Sequence, residues 1–335
     1  MGTAIEWTDA VWNPVTGCSK VSEGCRNCYA FALHDMRHKA FEDGKKLPQQ
    51  YAKPFNEIQF FPGRLIQPLK WQEPRLVFVN SMADLFHPDV PFDFIDKVFG
   101  AMTLAPKHTF QILTKRPERM NEYMNMPDRD EAIGLTAMLL YERFGGKGDC
   151  RLAAGLIHGP GKVTNLTDVP ERLEAWPLPN VWLGTSVENQ QAADERIPFL
   201  LETPAAVRFL SCEPLLGPVD LEFWTQFDHP DNEGYGVEAI KGIDWVIAGG
   251  ESGKNARPMH PDWAEGLMDQ CEEYGVPFFF KQWGEWAPVH ELRCNEPGIK
   301  GKPWYNFDPD TALCRIGKER AGRVLDGREW DEFPA

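Results

Sequence analysis

Positive charge is what this chain has least of. Lys and Arg number 35 against 50 Asp and Glu, a formal net charge of −15 at pH 7. Tight, non-specific binding to duplex nucleic acid needs a basic surface that displaces counterions, so the charge argues against that class and leaves room for a local basic groove. Long apolar runs are missing too: no stretch approaches the roughly 20 residues of a membrane helix, and no signal peptide precedes the first cysteines. The expectation is a cytoplasmic protein with no membrane partner. Cysteine is sparse, with eight residues at 18, 25, 28, 150, 212, 271, 294 and 314. Count alone permits four disulfides. Chain size, the absent export signal and the tight N-terminal cluster favour a reducing compartment and metal binding instead. Apolar residues are not lacking: 42% of the 335 residues, with 12 Trp and 21 Phe, can build one large α/β domain or two smaller ones.

The chain is organised around Gly17-Cys18-Ser19-Lys20-Val21-Ser22-Glu23-Gly24-Cys25-Arg26-Asn27-Cys28-Tyr29-Ala30, with cysteines spaced C-x6-C-x2-C. The residues between the first two cysteines are polar and loop-forming, and those after Cys28 can start a helix. Thiolates are soft ligands that select zinc, copper(I) or iron–sulfur clusters. Three of them leave one metal position open. A zinc site of Cys3His type with His34 as the fourth ligand, and three buried structural cysteines, are the alternative readings of the same residues.

Short apolar runs then alternate with helical patterns. The first strand is expected within Ile5–Trp12, and helix within Phe31–Phe41. Strands are expected at Leu76–Val79, Phe110–Leu113, Val181–Gly184, Val207–Leu210, Trp245–Ala248 and Val276–Phe280, with helices near 91–104, 117–124, 190–201 and 262–274. Near-continuous apolar strands imply a parallel sheet covered on both faces. Repeated right-handed crossovers give a doubly wound sheet or a barrel, and polar residues at the carboxyl ends of consecutive strands favour a (β/α) barrel or partial barrel. Residues 126–178, with one helix at Glu131–Phe144, read as an insertion or lid, and 226–238 as an acidic loop. The domain expectation is a barrel over 1–290 and a C-terminal extension over 291–335.

The chain resembles radical S-adenosylmethionine (SAM) enzymes, and more closely the phage Gp37/Gp68 family of radical-SAM-like proteins. The resemblance rests on Ile5-Glu6-Trp7-Thr8-Asp9, the cysteine loop, Asn80-Ser81-Met82-Ala83-Asp84, Thr114-Lys115-Arg116-Pro117, Ser186-Val187-Glu188-Asn189, Ser211-Cys212-Glu213-Pro214, Gly249-Gly250-Glu251-Ser252-Gly253, Lys281-Gln282-Trp283-Gly284 and Leu325–Glu332. It departs from the wider superfamily in two places. The first cysteine gap is six residues rather than three, and Asn27 stands where an aromatic residue usually precedes the third cysteine. The superfamily's Gly-Gly-Glu for the SAM amino group lies after the second strand, where this chain has Asn80-Ser81-Met82.

The resemblance implies that Cys18, Cys25 and Cys28 hold a [4Fe–4S] cluster whose open iron binds SAM, which is then cleaved to a 5′-deoxyadenosyl radical that abstracts hydrogen from a substrate. Tyr29, directly after the third cysteine, is counted with the cofactor-binding residues. Asn80, Ser81 and Asp84 are assigned to the SAM ammonium, Lys115 to its carboxylate, and Ser186 and Glu188 to ribose hydroxyls. Arg116 is the alternative partner of the SAM carboxylate, and a bidentate arginine clamp is physically the stronger choice. Arg116 precedes Pro117, however, and also reads as a helix cap, so Lys115 is preferred. Glu213, Glu251, Lys281 and Gln282, on later strands and farther along the sequence from the cysteine loop, are assigned to the substrate side as catalytic residues. The basic stretch Arg315–Trp330 reads either as a phosphate site for a nucleotide or nucleic acid or as a solvated tail strapped across the barrel. The implied substrate is a nucleobase, nucleotide or nucleic acid in a phage or mobile-element setting. A reductant such as flavodoxin or ferredoxin and a separate partner protein encoded nearby are also expected. The reading from another class is a non-catalytic, zinc-stabilised barrel that binds nucleic acid or a partner protein.

Overall fold

The computed structural model describes residue 3 and residues 5–143, 175–222, 224–225, 237–292 and 299–335. Most of the expected insertion, the acidic loop over 226–236, Cys150 and Cys294 lie outside them. Seven strands form the main sheet: β1 (Ala10–Trp12), β2 (Leu76–Val79), β3 (Thr109–Thr114), β4 (Val181–Ser186), β5 (Val207–Cys212), β6 (Trp245–Gly249) and β7 (Phe278–Gln282). Their order in the sheet is their order in the chain. The fold is therefore α/β, with each expected strand present. The first is shorter than expected because Thr8 and Asp9 meet β2 partly through their side chains: Thr8 Oγ1 donates to the Leu76 carbonyl and Asp9 Oδ2 accepts from Leu76 N.

The chain divides into two compact units. One comprises Met1–Ser19, Ala30–Gly184 and Glu202–Ala206. In it β1 runs parallel to β2, with Trp12 beside Val79, and β2 parallel to β3, with Val79 beside Ile112. Those three side chains share one fully buried face. Burying an apolar side chain of this kind contributes about 1.5–3 kcal/mol, so this face is a principal source of the unit's stability. Helix α1 spans Tyr29–Glu42, and α2 (Phe92–Thr103) buries Phe94, Ile95, Val98, Phe99 and Met102, spaced as an amphipathic helix requires. After α3 (Pro117–Asn125), α4 (Arg129–Arg143) packs on α2. Gly100 makes that close approach feasible, since a Cβ there would lie 3.0 Å from Ala137 N.

The other unit comprises Lys20–Tyr29, Thr185–Leu201 and Val207–Ala335. Strands β5, β6 and β7 are parallel, with Leu210 beside Val246 and Val246 beside Phe278. Helix α5 spans Gln190–Glu202, and α6 (Pro261–Tyr274) starts after His260, whose Nδ1 accepts from Asp262 N, and stops at Gly275 with φ +68°. A three-stranded antiparallel sheet follows, β8 (Trp286–Pro288), β9 (Trp304–Asn306) and β10 (Ala312–Arg315), with β10 in the middle. The last residues return to β7: Phe280 N donates to the Trp330 carbonyl, and Glu332 N donates to that of Phe278. Phe333 packs on Trp245 and Phe279.

These contacts accord with the strapped-tail reading of the basic stretch. Arg315 donates to the Gly253 and Lys254 carbonyls, Arg323 to the Trp330 carbonyl, and Arg328 pairs with Glu272 while stacking on Trp330. These cations fasten the tail. Among the described residues, no helix is long and apolar enough to cross a membrane.

Candidate metal centre

The loop begins in the first unit on a residue that must be glycine. Gly17 has φ +103°, and a Cβ there would lie 2.5 Å from the Glu57 carbonyl oxygen. Backbone bonds from Gly17 N to the Met82 carbonyl and from Cys18 N to the Phe55 carbonyl fix the approach to Cys18.

Beyond the end of β2, Asp84 collects donors: Phe86 N at 3.0 Å and Thr114 Oγ1 at 2.7 Å on Oδ1, Lys115 N at 3.2 Å and Arg116 Nη1 at 2.7 Å on Oδ2. Arg116 Nη2 donates to Ser19 O at 3.0 Å and Ser19 Oγ at 2.9 Å, and Nη1 lies 3.9 Å from Cys18 Sγ. Burial alone would lower the guanidinium's pKa, but Asp84 and Cys18 outweigh it and hold it above the ordinary arginine value. Ser19 Oγ also meets His87 Nε2 at 2.7 Å. Because His87 Nδ1 accepts from Asp89 N, the hydrogen-bond pattern assigns the ring proton to Nε2. That tautomer donates to Ser19 and cannot take its proton, so no Ser–His nucleophile is built here. Burial, and then the nearby Arg116 charge, push the His87 pKa down.

In the second unit the turn around Cys25 and Cys28 is held in a similar way. Glu251, two residues past β6, accepts from Arg257 Nη2 at 2.7 Å, Arg257 Nε at 3.0 Å, Arg257 N at 2.8 Å and Asn27 Nδ2 at 3.0 Å. Arg257 Nη2 donates also to Glu23 O at 3.1 Å, and Asn27 Nδ2 to Asn255 O at 2.9 Å. Burial pushes the Glu251 carboxyl up, but the hydrogen bonds from Arg257 and Asn27 outweigh it and hold the carboxyl below its ordinary value. The Glu251 loop is crowded: a Cβ on Gly250 would lie 2.0 Å from the Trp283 carbonyl oxygen, and one on Gly284 2.2 Å from that of Glu251.

Several expected site residues are reassigned by these contacts. Arg116 brings its side chain to the cysteine loop; it sits at the N-cap of α3 without capping through its side chain. Glu251 touches the loop through Asn27 and takes part in its anchorage. Glu188 is 2% exposed, and its carboxylate accepts from Arg196 at 2.8 and 3.3 Å; Arg196 also donates to the Ser186 carbonyl. The pair is a buried strut, so the ribose reading of Glu188 is not carried further. Asp84, with four donors already on it, is poorly suited to an ammonium group. Asn80 has the wrong atom open for one: its Oδ1 accepts from Val15 N, while its buried Nδ2, a donor, finds no partner among the described residues. Such a group suits a ligand oxygen. Ser81 Oγ lies within hydrogen-bond distance of the Asn13 side chain. Lys281 Nζ lies 3.0 Å from Glu213 Oε1, and buried Gln282 leaves Oε1 without a partner among the described residues. Tyr29 opens α1 and is exposed. His34 is fully buried between Tyr51 and Phe55 with Nε2 on the Lys53 carbonyl, and its buried Nδ1 has no partner among the described residues.

Cys18, Cys25 and Cys28 are half-buried and remain thiols rather than disulfides. Among the described residues, no group of three or more His, Cys, Asp or Glu side chains is gathered as a metal site. The donor chemistry nonetheless fits a soft metal: three thiols within eleven residues, one with a guanidinium beside its sulfur. No curated protein and no solved structure matches the chain. A family model described as a protein of unknown function (DUF5131) matches residues 2–334, nearly the whole chain, which therefore belongs to that family.

Proposed function

We propose that this protein is a radical SAM enzyme on a (β/α) barrel or partial barrel, related to the phage Gp37/Gp68 proteins, with Cys18, Cys25 and Cys28 as the ligands of a [4Fe–4S] cluster. The observation that carries the reading is the anchorage of the thiol loop. Arg116 grips Ser19 in one unit, and Arg257 with Asn27 and Glu251 grips the Cys25–Cys28 turn in the other. A structural zinc site supplies the folding energy of its own loop. A loop fastened by its own side chains has no such need, which suits an incompletely ligated, reactive centre.

When bound, cluster and SAM together supply reductive cleavage of the sulfonium and hydrogen abstraction from the substrate. The chain's own residues bind and orient. Arg116 and Asp84 fix Cys18, and Asn27, Glu251 and Arg257 fix the turn bearing the other two thiols. Asn80 Nδ2 offers a donor to a ligand oxygen. The Lys281–Glu213 pair, with Ser211 Oγ 3.5 Å from Glu213, offers both a cation and an acceptor to a polar substrate. A nucleobase, nucleotide or nucleic acid remains the proposed substrate class on the strength of the phage resemblance, since the basic tail is otherwise engaged. The protein is purified and reconstituted without oxygen. About four iron and four sulfide per chain, with 5′-deoxyadenosine formed from SAM under dithionite, support the reading. One zinc and no iron would overturn it, and S-adenosylhomocysteine as the product would replace it with methyl transfer.

A further inference from the structure

Within the Asp84 cluster the guanidinium of Arg116 has a task that anchorage does not require. Its Nη2 is already committed to Ser19, and Asp84 holds Nη1 at 2.7 Å; that same Nη1 lies 3.9 Å from the Cys18 sulfur, which itself meets the Ser19 carbonyl at 3.4 Å. Arg116 and Asp84 side chains are 11% and 8% exposed, so the charge beside the sulfur is little screened by solvent. Asp84 opposes its charge by direct contact, Cys18, Ser19 and His87 also face it, and Arg119 adds a second positive charge nearby.

Resting on the cluster reading above, we propose that Arg116 tunes the metal centre: its Nη1 hydrogen bond and positive charge at Cys18 raise the reduction potential of the group that Cys18 ligates. Hydrogen bonds to ligand sulfur and local positive charge both favour the more negative, reduced state of an iron–sulfur centre. The couple takes up one electron, from a low-potential flavodoxin or ferredoxin in the cell and from dithionite in vitro. Asp84 has the opposite influence. It fixes Nη1 in place and partly cancels the charge, so losing the Asp84 charge leaves Arg116 uncompensated.

Two substitutions should therefore move the potential in opposite directions. Arg116→Gln should shift the midpoint of the reconstituted protein to more negative values, and Asp84→Asn to more positive ones, read by redox titration with EPR detection of the reduced state. Arg116→Lys should fall between the wild type and Arg116→Gln. A role confined to holding the loop would not produce shifts of opposite sign. Clusters that load normally in all variants with coincident midpoints overturn the inference and leave the proposed function standing. If Arg116→Gln fails to take up iron, Asp84→Asn alone decides, and an unchanged or more negative midpoint rejects the inference. Absence of any iron–sulfur centre in the wild type removes the proposed function and this inference together, a result distinct from coincident midpoints.

Discussion

The two arginine–carboxylate pairs look alike in chemistry and differ in where the arginine ends. Arg116 has its free edge on a sulfur and on Ser19, whereas Arg257 has its free edge on the Glu23 carbonyl and, at 3.4 Å, on the Glu23 carboxylate. The carboxylates differ as well. Asp84 is satisfied largely by neutral donors, Thr114 Oγ1 and two backbone N–H groups, with one guanidinium nitrogen added. Glu251 takes three of its four bonds from a single residue, Arg257. One pair brings charge to a thiol, and the other sets backbone geometry.

The sharpest way to break this contrast is to remove each arginine. Arg257→Ala leaves the buried Glu251 carboxylate with only Asn27 and one backbone N–H, and should cost about 3–5 kcal/mol in urea unfolding. Arg116→Ala leaves Asp84 with three neutral donors and should cost less, about 1.5–3 kcal/mol. Equal losses would mean that the two carboxylates are not differently supported. Gly284→Ala tests the crowding around Glu251: with φ +81° and no room for a Cβ, it should cost about 2–3 kcal/mol.

Acid titration separates the pairs further. The Glu251 carboxyl is held below its ordinary value, so its stabilising contribution is complete above the unfolded-state pKa. That contribution disappears as pH falls through the folded-state pKa. Stability measured from neutral pH downward should therefore fall more steeply in the wild type than in Glu251→Gln; parallel curves would contradict the assignment. The smallest effect is expected for Asn27→Ala, about 1–2 kcal/mol for two lost hydrogen bonds, with faster amide exchange concentrated in the Cys25–Cys28 turn.

The strands and helices were legible because their signals are local: four to six apolar residues closed by polar ones, or apolar positions recurring at helical spacing. The sites were legible only as far as the cysteines. Arg116 was ranked below its neighbour, since a residue before proline reads as a helix boundary and says nothing of where a long side chain goes. The contact of Glu251 with the cysteine loop was not legible, because its partner Asn27 lies 224 positions away in the sequence. The one available signal was Asn27 itself, a polar residue where an aromatic was expected, which needed a polar partner. Glu188 and Arg196, eight positions apart across a strand-to-helix turn, carry no periodic signature of pairing.

The return of the last residues to β7 has a consequence for handling the protein. Phe278, Phe279 and Phe280 form a triple-aromatic strand, and the pairing with Trp330 and Glu332 covers its outer rim. Clipping the chain before Trp330 would bare a ladder of unsatisfied amides on a greasy edge, the kind of surface on which chains zip together. A protease nick in that tail should accordingly show itself first as turbidity, before any change at the cysteines.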